Sequence, residues 1–320
     1  MIKQPNELTF TDKKFSMILY GAPGVGKTTL ALSAPNPILI DFDKGVSRVK
    51  AYHRKPTVVC QTYEEVLSDI ESPEIKECDT IIIDTGGSFV SYLQDWAMRD
   101  NPAVNRQKNG AISLKGFGAV KQEFQRFTNM VRDVMNKNVI YVFHSDEQKD
   151  KDGNPQQRLL CEGAARNIVW QPCDFGGYVQ MIGNQRVVTF SPTQEFFAKG
   201  CYGIEGQFTV PSVGPADKNE FLTNLFEKAR NNIASENDAF APMKEKYEET
   251  MAKVNEIISN IKTVEDATNA ATSIPALEHS LTSKKEASAL LSAKTKELGF
   301  TWDKAAKAYV EAKPKAEGEN

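Results

Sequence analysis

Short apolar runs alternate with longer mixed segments over the first 230 residues of the chain. Five of these runs are rich in Ile, Val and aromatic residues and are bounded by turn residues, which is typical of β-strands. They are 15–20, 37–43, 57–60, 80–84 and 138–144. Helical patterns lie between several of them, in 27–34 and in about 118–136, so we predict an α/β domain with a mainly parallel sheet. Two further runs, 176–182 and 186–191, predict a hairpin at an edge of that sheet.

The pattern changes after residue 230. Residues 231–242 are polar and end in a proline, which predicts a linker followed by the start of a helix. Apolar residues then recur at steps of three and four over 243–261, as in an amphipathic helix. Two residue pairs have the spacing of helix capping boxes, Thr263 with Asp266 and Ser283 with Glu286. The predicted organisation is an N-terminal domain over 1–230, a linker over 231–242, a helical module over 243–313 and a disordered tail over 314–320.

The composition is that of an ordinary globular protein. The 320 residues are 40% hydrophobic and 25% charged, with a formal net charge of -3, which excludes collagen-like, disulfide-scaffold and wholly disordered classes. No apolar stretch approaches the roughly 18 residues of a membrane helix, and the N-terminus lacks the pattern of a secretory signal. The five cysteines form no CxxC pair, and we interpret them as reduced thiols. These features favour a cytoplasmic location and no membrane partner.

The most specific motif in the chain is GxxxxGK[ST], which lies directly after the predicted strand 15–20 and opens a predicted helix. Its glycines let the backbone fold tightly, so that successive N–H groups point at phosphate oxygens. Lys27 is expected to reach the β- and γ-phosphates of a nucleotide, and the Thr28 hydroxyl to ligate Mg²⁺. The predicted nucleotide-binding residues are Gly21, Ala22, Pro23, Gly24, Val25, Gly26, Lys27, Thr28 and Thr29.

A second element suits the same chemistry. The predicted strand 80–84 is apolar and ends in Asp84, the pattern of a Mg²⁺-binding carboxylate in nucleotide hydrolases. Thr85 follows it where many ring ATPases carry a catalytic glutamate, so another carboxylate must orient the attacking water. Glu65 is the first choice and Glu64 the second, because both follow the predicted strand 57–60.

Two alternatives stay open for the acidic residues near these strands. Glu64 and Glu65 also suit the first turn of a helix, where the helix dipole favours acids. Asp41 and Asp43 end the predicted strand 37–43, and we interpret them as caps of the following turn rather than as residues that assist the metal.

The order of these features resembles the RecA-type ATPase core. More narrowly, the chain resembles compact phage-encoded RecA-like proteins described as nucleotide-binding or single-strand annealing proteins, over about residues 10–230. The resemblance implies a RecA-like P-loop NTPase core followed by a small α-helical module, with ATP and Mg²⁺ as cofactors. It also implies single-stranded DNA as partner, a ring or filament of identical chains, and the host cell cytoplasm as location. His144, at the end of the predicted strand 138–144, matches a γ-phosphate sensor; alternatively, it is a histidine hydrogen-bonded at a strand end.

Two basic segments match the loops that face DNA in RecA-type proteins, 99–118 and 145–167. Basic, glycine-containing loops suit a single-strand backbone, and an exposed aromatic ring would offer a stacking surface for bases. The alternative is a solvated surface loop, which is the usual meaning of a run of charges. The candidate nucleic-acid contacts are Arg99, Arg106, Lys108, Lys115, Phe117, Lys149, Lys151, Arg158 and Arg166.

One segment departs from the pattern of these relatives, which often cover a neighbour's ATP with Lys-x-Arg-x-Gly. Here the segment 199–203 keeps Lys199, a candidate catalytic residue across a subunit boundary, but has Cys201 in place of the arginine. Three hypotheses follow. The first is an ATPase acting on single-stranded DNA in recombination, annealing or repair. The second is an AAA+-type loader or remodeller with a protein partner, and the third is a nucleotide-gated binding module with little turnover. The C-terminal helices are the candidate site for a replication or annealing partner.

Overall fold

The computed structural model describes residues 12–149, 151–161 and 165–312. The chain divides into two compact units between Ile233 and Ala234. The predicted tail over 314–320, and residues 150 and 162–164 of the second basic segment, lie outside the described residues.

The larger unit is a mixed α/β structure. Its strands are β1 (Ser16–Gly21), β2 (Pro37–Asp41), β3 (Thr57–Val58), β4 (Thr80–Asp84), β5 (Asn138–Lys149), β6 (Pro155–Leu159), β7 (Phe175–Ile182), β8 (Gln185–Thr189) and β9 (Gln207–Val210). Its helices are α1 (Lys27–Ala31), α2 (Tyr63–Asp69), α3 (Pro73–Glu77), α4 (Gly86–Asp100), α5 (Pro102–Asn105), α6 (Leu114–Asn129) and α7 (Ala165–Trp170). A π-helical segment, Met130–Val134, continues α6.

These nine strands of the described chain form one sheet, in the order β3-β2-β4-β5-β1-β7-β8-β9, with β6 paired to β5. Six neighbouring strands of the sheet run parallel, namely β3, β2, β4, β5, β1 and β7. The strands β6, β8 and β9 are antiparallel to their neighbours. The prediction of a mainly parallel α/β sheet with an edge hairpin at β7 and β8 is therefore confirmed. The parallel order brings the carboxyl ends of β2, β4, β5 and β1 to one edge of the sheet.

Helices cover both faces of this sheet because its strands are apolar on both faces. Ile18 and Tyr20 of β1 join the core that also contains Phe89 of α4 and Phe124 of α6. Met17 and Leu19 of β1 face the other way and pack with residues of α1. Alternate residues of one central strand therefore hold a helical layer on each side.

The second basic segment differs from the predicted loop. β5 does not end at His144 but continues to Lys149, and its last five residues pair with β6 in an antiparallel hairpin. The polar side chains of this hairpin hid it from a search for apolar strands, because it extends past the buried part of the sheet.

The helix that leaves the larger unit, α8 (Phe221–Ser259), includes all of the predicted linker 231–242. Pro242 lies inside this helix and does not begin it. Most of the polar residues that suggested a linker are exposed side chains of the helix, and a solvated helix needs no apolar face along its whole length.

The smaller unit contains α9 (Val264–Ser273), α10 (Ser283–Glu297), β10 (Phe300–Asp303) and β11 (Ala308–Glu311). The capping box of Thr263 and Asp266 is present at the start of α9. The second predicted box is wrong, because α10 begins at Ser283 itself and Glu286 accepts a hydrogen bond from the hydroxyl of Thr282. The hairpin of β10 and β11 was not predicted, so the unit is mainly but not wholly helical.

Candidate functional site

The Gly-rich loop connects β1 to α1 at the carboxyl edge of the sheet. Gly24 and Gly26 have φ angles of 79° and 85°, a conformation that other residues rarely adopt. The loop therefore needs glycine at both positions to turn back toward the sheet before α1 begins at Lys27.

The Lys27 side chain is only 5% exposed and is held by the loop itself. Its Nζ donates hydrogen bonds to the carbonyl oxygens of Gly21 (2.9 Å) and Ala22 (2.8 Å) and lies 3.4 Å from Nδ1 of His144. Burial lowers the pKa of Lys27 to about 8, against the opposing effect of the Asp84 carboxylate. Burial and the neighbouring Lys27 also lower the pKa of His144, so its ring is neutral at neutral pH and accepts a hydrogen bond from Nζ.

Thr28 and Asp84 meet across the sheet edge. The Thr28 hydroxyl donates a hydrogen bond of 2.5 Å to Oδ2 of Asp84. Thr28 follows β1 and Asp84 ends β4, and β5 lies between these two strands in the sheet. Burial raises the pKa of Asp84 to about 6, and the hydrogen bond from Thr28 partly opposes this shift. A hydroxyl and a carboxylate are the hard oxygen donors that Mg²⁺ prefers, and Mg²⁺ takes its other ligands from phosphate and water. The residues present therefore fit this ion.

The two aspartates at the carboxyl end of β2, Asp41 and Asp43, have different partners. Asp41 caps the next turn by accepting hydrogen bonds of 2.9 Å from the N–H groups of Gly45 and Val46. Asp43 instead reaches the site: its N–H donates to the carbonyl oxygen of Asp84 at 3.0 Å, and its carboxylate pairs with Arg48. Asp41 therefore caps the turn, as interpreted from the sequence, whereas the Asp43 carboxylate contacts the side chains of Arg48 and Ser88. The sequence alone could not place Asp43 at this cavity, because its position depends on β2 lying directly beside β4 in the sheet.

The side chains of Lys27, Thr28, Asp43, Asp84 and His144 line a cavity of about 450 Å³. Its lining consists of Pro23, Gly24, Gly26, Lys27, Thr28, Thr29, Asp43, Gly45, Arg48, Val49, Asp84, Thr85 and His144. A second cavity of about 310 Å³ shares Gly24, Gly26, Thr29 and Arg48 with the first. Its other lining residues are Leu30, Lys50, His53, Arg186, Val210, Pro211, Ser212, Val213 and Asn219.

Three predicted catalytic residues, Glu64, Glu65 and Lys199, lie outside the linings of both cavities. The Glu65 carboxylate accepts a hydrogen bond of 2.7 Å from the N–H of Gln61 just before α2, and Glu64 forms an ion pair of 2.9 Å with Arg99. Both glutamates thus act as first-turn acids of α2, the alternative that the sequence left open. The Lys199 ammonium donates to the carbonyl oxygen of Cys173.

The basic residues of segment 99–118 lie on the end of α4, on the turn after α5 and on the start of α6. Arg99 is paired with Glu64, whereas Arg106, Lys108 and Lys115 are exposed. The Phe117 ring, also in α6, is 44% exposed.

In the second basic segment, two arginines are engaged within the fold. The guanidinium carbon of Arg158 lies 3.7 Å from the centroid of the Phe197 ring, and Arg166 donates to the carbonyl oxygen of Leu159 at 3.2 Å. Lys149 and Lys151, by contrast, are exposed near the turn of the β5–β6 hairpin. The four basic residues therefore differ in their availability: the two arginines contact other parts of the fold, and the two lysines are exposed.

The fold and the loop geometry together define a P-loop nucleotide-binding domain. A family model described as AAA domain matches residues 13–202. That match covers more than half of the chain, which therefore belongs to this family of P-loop ATPase domains. No curated protein sequence matches the chain. In the part of the chain that the structure describes, no helix is long and apolar enough to cross a membrane.

Proposed function

We propose that the chain is a Mg²⁺-dependent ATPase whose catalytic site is the cavity at the Gly-rich loop. The observation that carries the proposal is the hydrogen bond between Thr28 and Asp84 beside the buried ammonium of Lys27. The loop N–H groups and Lys27 bind the phosphates, and Thr28 and Asp84 hold the ion. When bound, Mg²⁺ would neutralise part of the negative charge on the β- and γ-phosphates.

In this proposal the Asp43 carboxylate orients the attacking water. It lines the cavity beside Asp84, and a carboxylate at this place can accept a hydrogen bond from water. The water oxygen forms a bond to the γ-phosphorus while the bond from that phosphorus to the bridging oxygen breaks. The electron pair of the broken bond stays on ADP, and the proton released by the water passes through Asp43 to solvent. His144 contacts Lys27, so it is placed to respond when Lys27 turns toward phosphate.

The second cavity suits the ribose and base of the same nucleotide. It adjoins the first along the Gly-rich loop, and Val210 and Pro211 add an apolar surface for a flat ring. A nucleotide bound through its phosphates at Lys27 would extend its other end into this space.

The metal site gives the first prediction. Replacing Asp84 by Asn removes the only charge of the proposed Mg²⁺-binding pair but keeps its size. We expect Asp84→Asn to raise the Mg²⁺ concentration needed for half-maximal ATP binding by about 10–100-fold. The assay is a Mg²⁺ titration of fluorescent ATP binding, with Asp79→Asn as the control at the other end of β4, where Asp79 pairs with Lys14. Equal Mg²⁺ requirements in the two variants would contradict the assignment.

We further propose that the ATPase acts on single-stranded DNA, as the RecA-type resemblance implies. Two groups of exposed basic residues support this proposal: Arg106, Lys108 and Lys115, in the segment that also carries the exposed Phe117 ring, and Lys149 with Lys151. The strand β5 carries both His144 and Lys149, five residues apart, so one strand leads from the cavity to a basic surface over about 16 Å. In this proposal, β5 links the nucleotide site to the DNA-binding surface.

The β5–β6 hairpin gives the second prediction. The double variant Lys149→Ala/Lys151→Ala should weaken binding to a labelled single-stranded oligonucleotide by about tenfold at low salt. The dependence of binding on salt should also become less steep, because fewer phosphates are neutralised. Fluorescence anisotropy at several salt concentrations measures both effects. The matched control is Lys284→Ala/Lys285→Ala, two exposed neighbouring lysines in the smaller unit. The same loss in both double variants would argue against a contact at the hairpin.

Assembly into a ring or filament, and a replication or annealing partner at the C-terminal helices, complete the proposal. The resemblance supports assembly, and the separate compactness of the smaller unit supports a partner-binding role. Light scattering with and without ATP tests the assembly. If single-stranded DNA neither binds nor changes hydrolysis, the AAA+-type function with a protein partner is the better one.

A further inference from the structure

Besides Lys27, the proposed ATP site contains the cationic side chain of Arg48. The Arg48 guanidinium lies in the lining of both cavities and pairs with the carboxylate of Asp43. The Arg48 side chain is 68% exposed, whereas Lys27 is buried in the loop. Arg48 is thus an exposed positive charge in the site, and its partner is Asp43, the residue proposed to orient water.

Gly45 makes room for this arginine. A Cβ atom built on Gly45 would lie 2.2 Å from Nη2 of Arg48, which is closer than any real contact. Gly45 has a φ of -99°, an ordinary value for any residue, so the backbone does not require glycine here. The Arg48 guanidinium occupies the space above Gly45 and lines the cavity.

We propose that Arg48 is a phosphate-binding arginine supplied by the same chain, and that it exchanges Asp43 for the γ-phosphate when ATP binds. This inference rests on the proposed ATPase function. The γ-phosphate carries more negative charge than a carboxylate and offers three oxygens to the planar guanidinium fork. The exchange releases the Asp43 carboxylate, which can then accept a hydrogen bond from the attacking water.

The charges of the site favour such an exchange. Asp43 and Asp84 both line the cavity, and Asp84 is assigned to Mg²⁺ in the proposed function, so a γ-phosphate that entered without Arg48 would still face the Asp43 carboxylate. The segment 199–203 has Cys201 where an arginine is expected, and the Lys199 ammonium is bound to a backbone carbonyl. Arg48 therefore supplies, within one chain, the guanidinium that this segment lacks.

The test compares ATP with ADP, because only ATP has the γ-phosphate. In the full-length protein with Mg²⁺, competition against a fluorescent nucleotide should show that Arg48→Ala weakens ATP binding by about tenfold and ADP binding by less than about twofold. Phosphate release by Arg48→Ala should fall by about 100-fold, since an arginine on the transferring phosphoryl group contributes strongly in other enzymes. The ATP affinity and the phosphate-release rate of Arg48→Lys should lie between those of wild type and Arg48→Ala, because an ammonium keeps the charge but lacks the planar fork of the guanidinium.

A second variant moves the guanidinium without removing it. Gly45→Ala should lower the preference for ATP over ADP in the same direction as Arg48→Ala, because the new methyl group displaces Arg48. The matched control is Arg132→Ala, which removes an arginine paired with a neighbouring carboxylate, Asp133, elsewhere in the same unit. This control should leave the ratio of ATP to ADP affinity at the wild-type value.

Lys27→Ala separates a failure of this inference from a failure of the proposed function. If Lys27→Ala binds ATP and ADP as wild type does, both the ATP site and the role of Arg48 are wrong. If Lys27→Ala loses binding while Arg48→Ala keeps the wild-type affinity ratio and hydrolysis rate, the ATP site stands and the role of Arg48 alone is overturned.

Discussion

Replacing Lys27 by alanine should lower ATP hydrolysis by about 10³-fold. The Lys27 ammonium is buried at the Gly-rich loop and is held there by two carbonyl oxygens of the loop. In the proposed site this ammonium turns from those carbonyls to the developing phosphate charge, in surroundings that screen it less than water does. Phosphate release at saturating ATP and Mg²⁺ measures the effect.

Lys137 offers a closely matched control for this variant. It is also buried, and its Nζ donates to the carbonyl oxygens of Lys76 and Cys78, away from the nucleotide cavity. Lys137→Ala removes the same kind of group from the same domain and should keep the wild-type rate at temperatures where the variant stays folded. A wild-type rate for Lys27→Ala would refute the site, and an equal loss in both variants would show a general effect of removing a buried lysine.

The second large effect is expected at Asp43. Asp43→Asn should lower hydrolysis by about 10³-fold, since an amide accepts a hydrogen bond from water but cannot take its proton. ATP affinity should stay the same or rise, because the variant removes a negative charge that faces the γ-phosphate. Loss of hydrolysis with binding intact is the signature of a group that acts on the water and not on the nucleotide.

Glu65→Gln and Glu64→Gln are the natural comparison for Asp43→Asn, since they test the carboxylates that the sequence favoured. Glu65 is bound to the N–H of Gln61 and Glu64 to Arg99, so both variants should keep hydrolysis near the wild-type rate. The opposite pattern, with hydrolysis lost in Glu65→Gln and kept in Asp43→Asn, would restore the sequence-based prediction and exclude the role proposed for Asp43.

The sequence predicted those parts of the site whose residues are neighbours in the chain. The Gly-rich loop, Lys27 and Thr28 form one continuous motif, and Asp84 ends an apolar strand, so each could be found from local pattern. Asp43 could not be found in this way, because its place in the site depends on β2 lying beside β4. Glu65 was favoured because an acid after a strand and an acid in the first turn of a helix have the same local pattern.

The sequence-based errors in the fold have a similar cause. The β5–β6 hairpin is polar because it extends beyond the packed part of the sheet, so it lacks the alternation of a half-buried strand. The middle of α8 is polar because its side chains are exposed, and it was therefore interpreted as a linker. The hydrophobic pattern of a sequence reflects burial, so it identifies strands and helices only where they are buried.

The most direct test of the account is the rate of phosphate release from ATP with and without single-stranded DNA, at low salt, in wild type and Lys27→Ala. The account predicts hydrolysis by the wild type that rises when single-stranded DNA is added, and loss of both the basal and the stimulated rate in the variant. Equal hydrolysis by the two proteins would contradict the proposed site. Hydrolysis lost in Lys27→Ala but unchanged by DNA in the wild type would contradict the proposed action on single-stranded DNA.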